Sequence, residues 1–233
     1  MTGMLIGVGL GPGDPDLMTL RAARVIGAAE VVAYPTLPGT DSFARSIAAD
    51  LIRPDADEIV IEVPMTKARE PAQAAYEVGA ERIAAALEAG RDVAVLCEGD
   101  PFFYGSFMYL HSRLAERFPV TVIPGITSVS AATAGALRPL VARNEVLTVL
   151  PGPIDSAMLA SKVEQAEAVV IMKVGRHLSR IRDVLDQLGL AEQAIYVERA
   201  TLDAERILPL AEAPDPAPYF SLILVTKGSD PWL

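Results

Sequence analysis

Twice in this chain an apolar run ends in Gly-Asp-Pro: once in "GVGLGPGDPDLMT" (7–19) and again in "VAVLCEGDPFFYG" (93–105). A third apolar run, "VTVIPGITSVS" (120–130), ends in Pro-Gly followed by hydroxyls. Glycine at a strand end lets a ligand or another backbone come close, aspartate offers a carboxylate, and proline withholds an N–H. Counted from Gly7 or from Gly9, the sixth position is Pro12 or Asp14, so G-x-G-x-x-G is absent in both registers, and no G-x-x-x-x-G-K-[ST] occurs. Such loops suit a cationic ligand bearing an amine and a ribose better than a pyrophosphate. A tight turn alone accounts for Gly-Pro-Gly-Asp in the first loop. The second and third loops shift the reading to one crevice at the carboxyl ends of parallel strands.

The elements that must hold these loops alternate between strand and helix. Strands are expected at 4–10, 30–35, 58–64, 92–101 and 119–125. Helices are expected after the Asp14-Pro15 cap, at 42–52, over the alanine-rich 71–89, and through "FFYGSFMYLHSRLAER" (102–117). Beyond "GALRPLVAR" the pattern restarts, with strands at 145–152, 167–175 and 194–200 and helices at 155–162 and 176–188. "ERILPL" (205–210) and "YFSLILVTKG" (219–228) have no helix between them, which predicts a hairpin-like antiparallel finish. The fold class is α/β: two domains, 1–139 and 140–233, with mostly parallel sheets.

Composition narrows the function. The 233 residues are 51% hydrophobic and 21% charged, enough for a large core. No apolar run reaches the length of a membrane helix, and the start lacks a basic signal region. A single cysteine, Cys97, suits the cytosol, and His111 and His177 lie too far apart for a metal site, so no metal is expected. A net charge of −10 argues against a nucleic-acid partner.

"GLGPGDPDLMT", "EGDPFFYG" and "IPGITSVSAA", in this order and spacing, resemble the tetrapyrrole (corrin/porphyrin) methyltransferase family over nearly the whole chain. The resemblance implies the tetrapyrrole methylase fold, a homodimer, and S-adenosylmethionine held in a cleft between the domains and released as S-adenosyl-L-homocysteine. Residue by residue it places Pro12 in the cofactor pocket. Gly99, Asp100, Phe103 and Tyr104 would hold the amino-acid or ribose portion, and Thr127 and Ser128 match the pair after Pro-Gly. Met172 matches a residue over the adenine, Ala200 a small residue under it, and Ser221 stands where many relatives carry alanine. By strand position alone a methionine such as Met172 is most often core filling, and Cys97 a small buried hydrophobe.

The implied substrate carries many carboxylates, so basic residues must gather around it despite the acidic balance. Lys67, Arg69, Arg138 and Arg143, in loops and junctions, are the candidates. Tyr104 and Glu98, by loop position, are the candidates for a catalytic base. The aromatic stretch "PFFYGSFMY" (101–109) reads as an apolar wall for a flat macrocycle, with Tyr104 towards the ligand and Phe107 in the core. Two other readings stay open: a family branch methylating RNA ribose or a modified protein histidine, and a non-catalytic cofactor sensor.

Overall fold

The computed structural model describes residues 1–66 and 68–228. They form two compact units that divide between Thr127 and Ser128, each built on a five-stranded sheet. The division falls earlier than the expected 139/140 junction. The cause is the helix Ser128–Gly135, whose small residues Val129, Ala131 and Ala132 pack on Val170, Leu222 and Leu224 of the second sheet.

The first unit runs β1 (Leu5–Gly9), α1 (Leu20–Ala28), β2 (Val31–Thr36), α2 (Phe43–Ile47), β3 (Asp57–Glu62), α3 (Glu70–Glu88), β4 (Val93–Cys97), α4 (Phe107–Leu114) and β5 (Val120–Ile123). Its strand order is β3-β2-β4-β1-β5, with every pairing parallel. All five residues of β4, VAVLC, are buried, the continuous apolar run of a strand covered on both faces. On one face Ile83 and Leu87 of α3 and Phe107 and Leu110 of α4 close over Leu5, Val93 and Val95. On the other, Ala22, Ile26 and Ile47 from α1 and α2 lie against Val8, Ala94 and Leu96. Fully burying a side chain of the larger kinds stabilises by about 1.5–3 kcal/mol.

Local chemistry sets the helix ends. Asp14 caps only a single 3-10 turn, Pro15–Leu17. The α-helix expected there starts instead at Leu20, behind Thr19, whose hydroxyl accepts the Ala22 N–H at 3.1 Å. The helix expected over 102–117 is confined to α4. Tyr104 is left-handed at φ 57, and a Cβ on Gly105 would lie 2.4 Å from the carbonyl oxygens of Asp100 and Pro101. The backbone folds back there, so Phe103 lies outside the helix that carries Phe107.

The second unit runs α5 (Ser128–Gly135), β6 (Leu147–Pro151), α6 (Ser156–Gln165), β7 (Ala168–Met172), α7 (Leu178–Gln187), β8 (Ala194–Glu198), β9 (Arg206–Pro209) and β10 (Ser221–Thr226). The strand order is β6-β7-β10-β8-β9. β6 and β7 are parallel, whereas β10 is antiparallel to β7 and β8, and β8 to β9. Parallel pairings remain the majority across the molecule, and the antiparallel ones gather in the second sheet. The expected hairpin of 205–210 with 219–228 is not formed, because β8 lies between the two strands. β10 is buried at all six positions. Ile223 and Val225 face α6 and α7, while Leu222 and Leu224 face α5, the alternation of a strand between two layers.

Candidate active site

The order β4-β1-β5 sets three strand ends side by side, and from them leave the loops 10–16, 98–106 and 124–127. The chain leaving β1 goes to α1 on one face of the sheet, and the chain leaving β4 goes to α4 on the other. Adjacent strands whose connections part to opposite faces open a crevice at their carboxyl ends.

Glycines join the loops. Gly11 donates to the Gly99 oxygen at 3.2 Å and Gly99 donates to the Gly11 oxygen at 2.8 Å. Behind them Gly9 and Gly125 are in contact. A Cβ on Gly125 would lie 1.9 Å from the Gly99 oxygen, and one on Gly9 would lie 2.5 Å from the Gly125 nitrogen. No other residue fits at 9 or 125.

Asp100 ties the second loop to itself and to the third. Its Oδ1 accepts from the N–H groups of Phe102 at 2.9 Å and Phe103 at 3.1 Å, and its Oδ2 accepts from the Gly125 N–H at 3.0 Å. The structure thus gives Asp100 a loop-shaping task beside the ligand contact expected of it. Gly125 as its partner, 25 positions away, has no sequence signal. Pro12 is half-buried in the first loop.

Together the three loops carry Asp14, Asp16, Glu98 and Asp100 and no lysine, arginine or histidine. Glu98 keeps solvent-facing surface, yet the protein packed around its carboxyl raises its pKa above the ordinary carboxylate value. The Cys97 thiol beneath them is buried and pushed far up by that burial, then by the charges of Glu98 and Asp100. It is an inert apolar residue, as expected.

Phe107 is fully buried, with its ring over Gly7, where a Cβ would come within 2.7 Å of it. Phe102 packs against Phe107 at 5.7 Å and edge-on to His111 at 5.3 Å. Phe103 and Tyr104 meet edge-on at 5.4 Å, and both are exposed. A left-handed tyrosine costs on the order of 1–3 kcal/mol, a strain that clusters at functional sites.

In the second unit, Met172 pairs with Leu222, and Ser221 with Glu198. Met172, Ser221 and, just past Glu198, Ala200 therefore share one end of that sheet. Ser221 is buried and donates to the Pro218 oxygen at 2.7 Å. Ala200 is held between two left-handed residues, Arg199 at φ 50 and Thr201 at φ 72. Arg199 donates its N–H to the Phe220 oxygen at 2.8 Å, and Thr201 donates to Glu205 at 2.6 Å. Beneath Arg199, the carboxylate of Glu198, 2% exposed, accepts the Tyr196 hydroxyl at 2.6 Å and lies 3.6 Å from Arg199 and 3.5 Å from Arg206. Burial, then the Glu198 contact, drives the Tyr196 pKa up. Nothing in the sequence announced this cluster.

The remaining expected residues are scattered. Thr127 closes the first unit and Ser128 opens α5. Lys67 lies outside the described residues. Arg69 is exposed just before α3, and Arg143 is exposed with φ 48 between α5 and β6. Arg138 donates to the Thr226 hydroxyl at 2.7 Å and to the Gln193 oxygen at 3.3 Å. Thr226 pairs with Ala168, so Arg138 is committed at the sheet end opposite Met172.

The glycine-joined, acidic loops crown the parallel sheet of an α/β protein. The tetrapyrrole (corrin/porphyrin) methylases match residues 4–214, and the chain belongs to that family. Precorrin-2 C(20)-methyltransferase of Sinorhizobium sp is 48% identical over 237 residues, covering 98% of this chain and 97% of that protein. Cobalt-precorrin-2 C(20)-methyltransferase of Salmonella typhimurium is 34% identical, covering 97% and 98%. A structure of uroporphyrin-III C-methyl transferase from Thermus thermophilus complexed with S-adenyl homocysteine has a TM-score of 0.66 at 24% identity, covering 97% of this chain and 92% of that one. At that identity the likeness speaks for the fold.

Proposed function

We infer that the protein is an S-adenosylmethionine-dependent C-methyltransferase that methylates the C-20 bridge carbon of precorrin-2, giving precorrin-3A, in cobalamin biosynthesis. The observation that carries this is the 48% identity, end to end, with a protein of that name. The three loops fit the cofactor. They offer close backbone approach at Gly9, Gly99 and Gly125 and a negative surround of four carboxylates, Asp100 among them though turned onto amides, with no cation, which suits a ligand bearing a sulfonium and an ammonium. Met172, Ala200 and Ser221, at one end of the second sheet, are assigned to its adenine.

S-adenosylmethionine supplies a methyl whose leaving group departs neutral, so the chain need not activate that group. Its task is alignment of the two reactants, an effect that can supply about 7–11 kcal/mol. Phe103 and Tyr104 offer the flat ring of the substrate an apolar wall. Glu98, made more basic than an ordinary carboxylate by its surroundings, is the candidate acceptor for the proton of the methylated carbon, with Tyr104 beside it. We further propose that the enzyme works in the cytosol as a homodimer. No helix of the described residues is long and apolar enough to cross a membrane.

The second reading is the cobalt complex of the same substrate, favoured by the 34% relative. Methylation of each substrate by the purified protein, read by mass and by absorbance, decides between them. Methylation of precorrin-2 in preference to its cobalt complex supports the first reading, the reverse preference supports the second, and no methylation of either sinks both. Light scattering checks the dimer.

A further inference from the structure

A polycarboxylate substrate needs cations, and the acidic loops of the first unit supply none. Most arginines near acids are already taken: Arg45 by Glu58, Arg91 by Asp57, Arg113 by Glu77 and Arg117 by Glu88. One stretch differs. From Ala168 to Arg182 there is no aspartate or glutamate, while Lys173, Arg176, Arg180 and Arg182 fall inside it, in a chain with 30 acids among 233 residues.

These four cations stand at different places in the fold. Arg180 is spent on the Gly152 oxygen, and Arg182 donates to the Ala213 oxygen at 2.9 Å. Lys173 directly follows Met172 at the end of β7 and is left-handed at φ 57. Val174, fully buried, pins the turn, and the His177 N–H closes it on the Val174 oxygen at 2.8 Å. Lys173 and Arg176, on either side of that anchor, are both exposed. Arg176 makes no hydrogen bond or ion pair among the described residues. Asp215 accepts the Ser179 hydroxyl of α7, and the helix's own acids, Asp183 and Asp186, lie beyond Arg182. Burial chiefly, and after it the charges of Arg176 and Arg180, lower the pKa of the half-buried His177.

We propose that Lys173 and Arg176, at the Met172 end of the second sheet, form a cationic subsite that receives carboxylate side chains of the tetrapyrrole substrate. The proposal rests on the reading of the protein as a tetrapyrrole C-methyltransferase. An exposed cation set beside a strand end assigned to the cofactor can fix the rim of a macrocycle while its bridge carbon is alkylated. An acid-free stretch bearing cations also eases the conflict between a net charge of −10 and an anionic substrate.

The test uses the full-length protein and the double variant Lys173→Gln/Arg176→Gln. Two readouts are needed: steady-state methylation of precorrin-2, and binding of uroporphyrin, an octacarboxylate, followed by fluorescence. The expected result is a KM for precorrin-2 and a Kd for uroporphyrin each raised about tenfold or more, as for loss of a charged contact. kcat and the Kd for S-adenosyl-L-homocysteine should stay within about twofold, and Arg176→Lys should recover most of the affinity. Equal uroporphyrin affinity in the wild type and the double variant overturns the subsite, as does a parallel loss of S-adenosyl-L-homocysteine affinity. Failure of the wild type to methylate precorrin-2 or its cobalt complex overturns the enzymatic reading instead, and the uroporphyrin comparison then still decides whether the subsite exists.

Discussion

At the carboxyl ends of β4, β1 and β5 the first unit presents backbone. Gly11 and Gly99 bond to each other, Gly9 and Gly125 touch, and Asp100 turns its carboxylate inward onto amides. At the Met172 end of its sheet the second unit presents side chains. There a buried glutamate sits among a tyrosine and two arginines, and a left-handed turn is held without glycine by the Glu205 carboxylate. The first arrangement is sensitive to volume, since one added carbon collides with a carbonyl. The second is sensitive to charge, since its turn relaxes if a carboxylate is removed. The first is acidic at its surface, whereas the second carries the exposed cations Lys173 and Arg176.

The largest effect expected comes from beneath the first of these ends. Phe107→Ala should destabilise the protein by about 3–5 kcal/mol in a denaturant titration. S-adenosyl-L-homocysteine affinity, measured well below melting, should hold, separating the foundation of the loops from their surface. Gly125→Ala comes next. Its Cβ would enter the Gly99 carbonyl, so about 3 kcal/mol of stability and calorimetrically detectable S-adenosyl-L-homocysteine binding should both be lost. If the alanine variant binds normally, the backbone-built description of the first end is wrong.

Asp100→Asn keeps an acceptor for Phe102 and Phe103 but offers an NH2 group to the Gly125 N–H. Cofactor affinity should fall by about 1–3 kcal/mol, and uroporphyrin affinity should not change. Loss of both would erase the division of labour drawn above. In the second unit, Glu205→Ala frees the Thr201 N–H and should weaken S-adenosyl-L-homocysteine binding by about 1 kcal/mol, with Glu205→Gln recovering part of it.

The smallest effect lies away from both ends, at Glu58, gripped by Arg45 through bonds of 2.7 and 2.8 Å and by the Tyr34 hydroxyl. Chiefly the Arg45 guanidinium holds this carboxyl below its usual pKa. A depressed carboxylate stabilises the fold above its unfolded pKa, and that contribution is lost as pH falls through the folded value. The pair is part-exposed, so Glu58→Gln should cost less than about 1 kcal/mol at neutral pH and progressively less as pH falls through the folded value, with ligand binding unchanged throughout. A deficit that persists in acid would mean the pair acts by packing.

Much of the first end could be read from the sequence, because its information is local. An apolar run closed by Gly-Pro-Gly or Gly-Asp-Pro states both the strand and the sharp exit from it. The irregular turn at 101–106 could not be read that way. Its aromatic residues match a helical pattern, and only the fit of Gly105 against the Asp100 and Pro101 carbonyls breaks it. The pairing of Arg138 with Thr226 spans 88 positions, and β8 inserts between two strands that local pattern would join. Both depend on strand order, which no window of sequence contains. The family resemblance assigns roles that spacing alone does not, yet it is silent on the carboxylates at 198 and 205 that shape the turn around Ala200.

Cys97 closes β4 directly below Gly99, and it is the chain's only thiol. Sealed from solvent and held protonated by its surroundings, it reacts only after the strand end has opened and the sulfur has lost its proton. The rate at which an alkylating reagent consumes that sulfur is therefore a clock for the opening of the first sheet, and a molecule seated across Gly99 slows the clock without touching the sulfur.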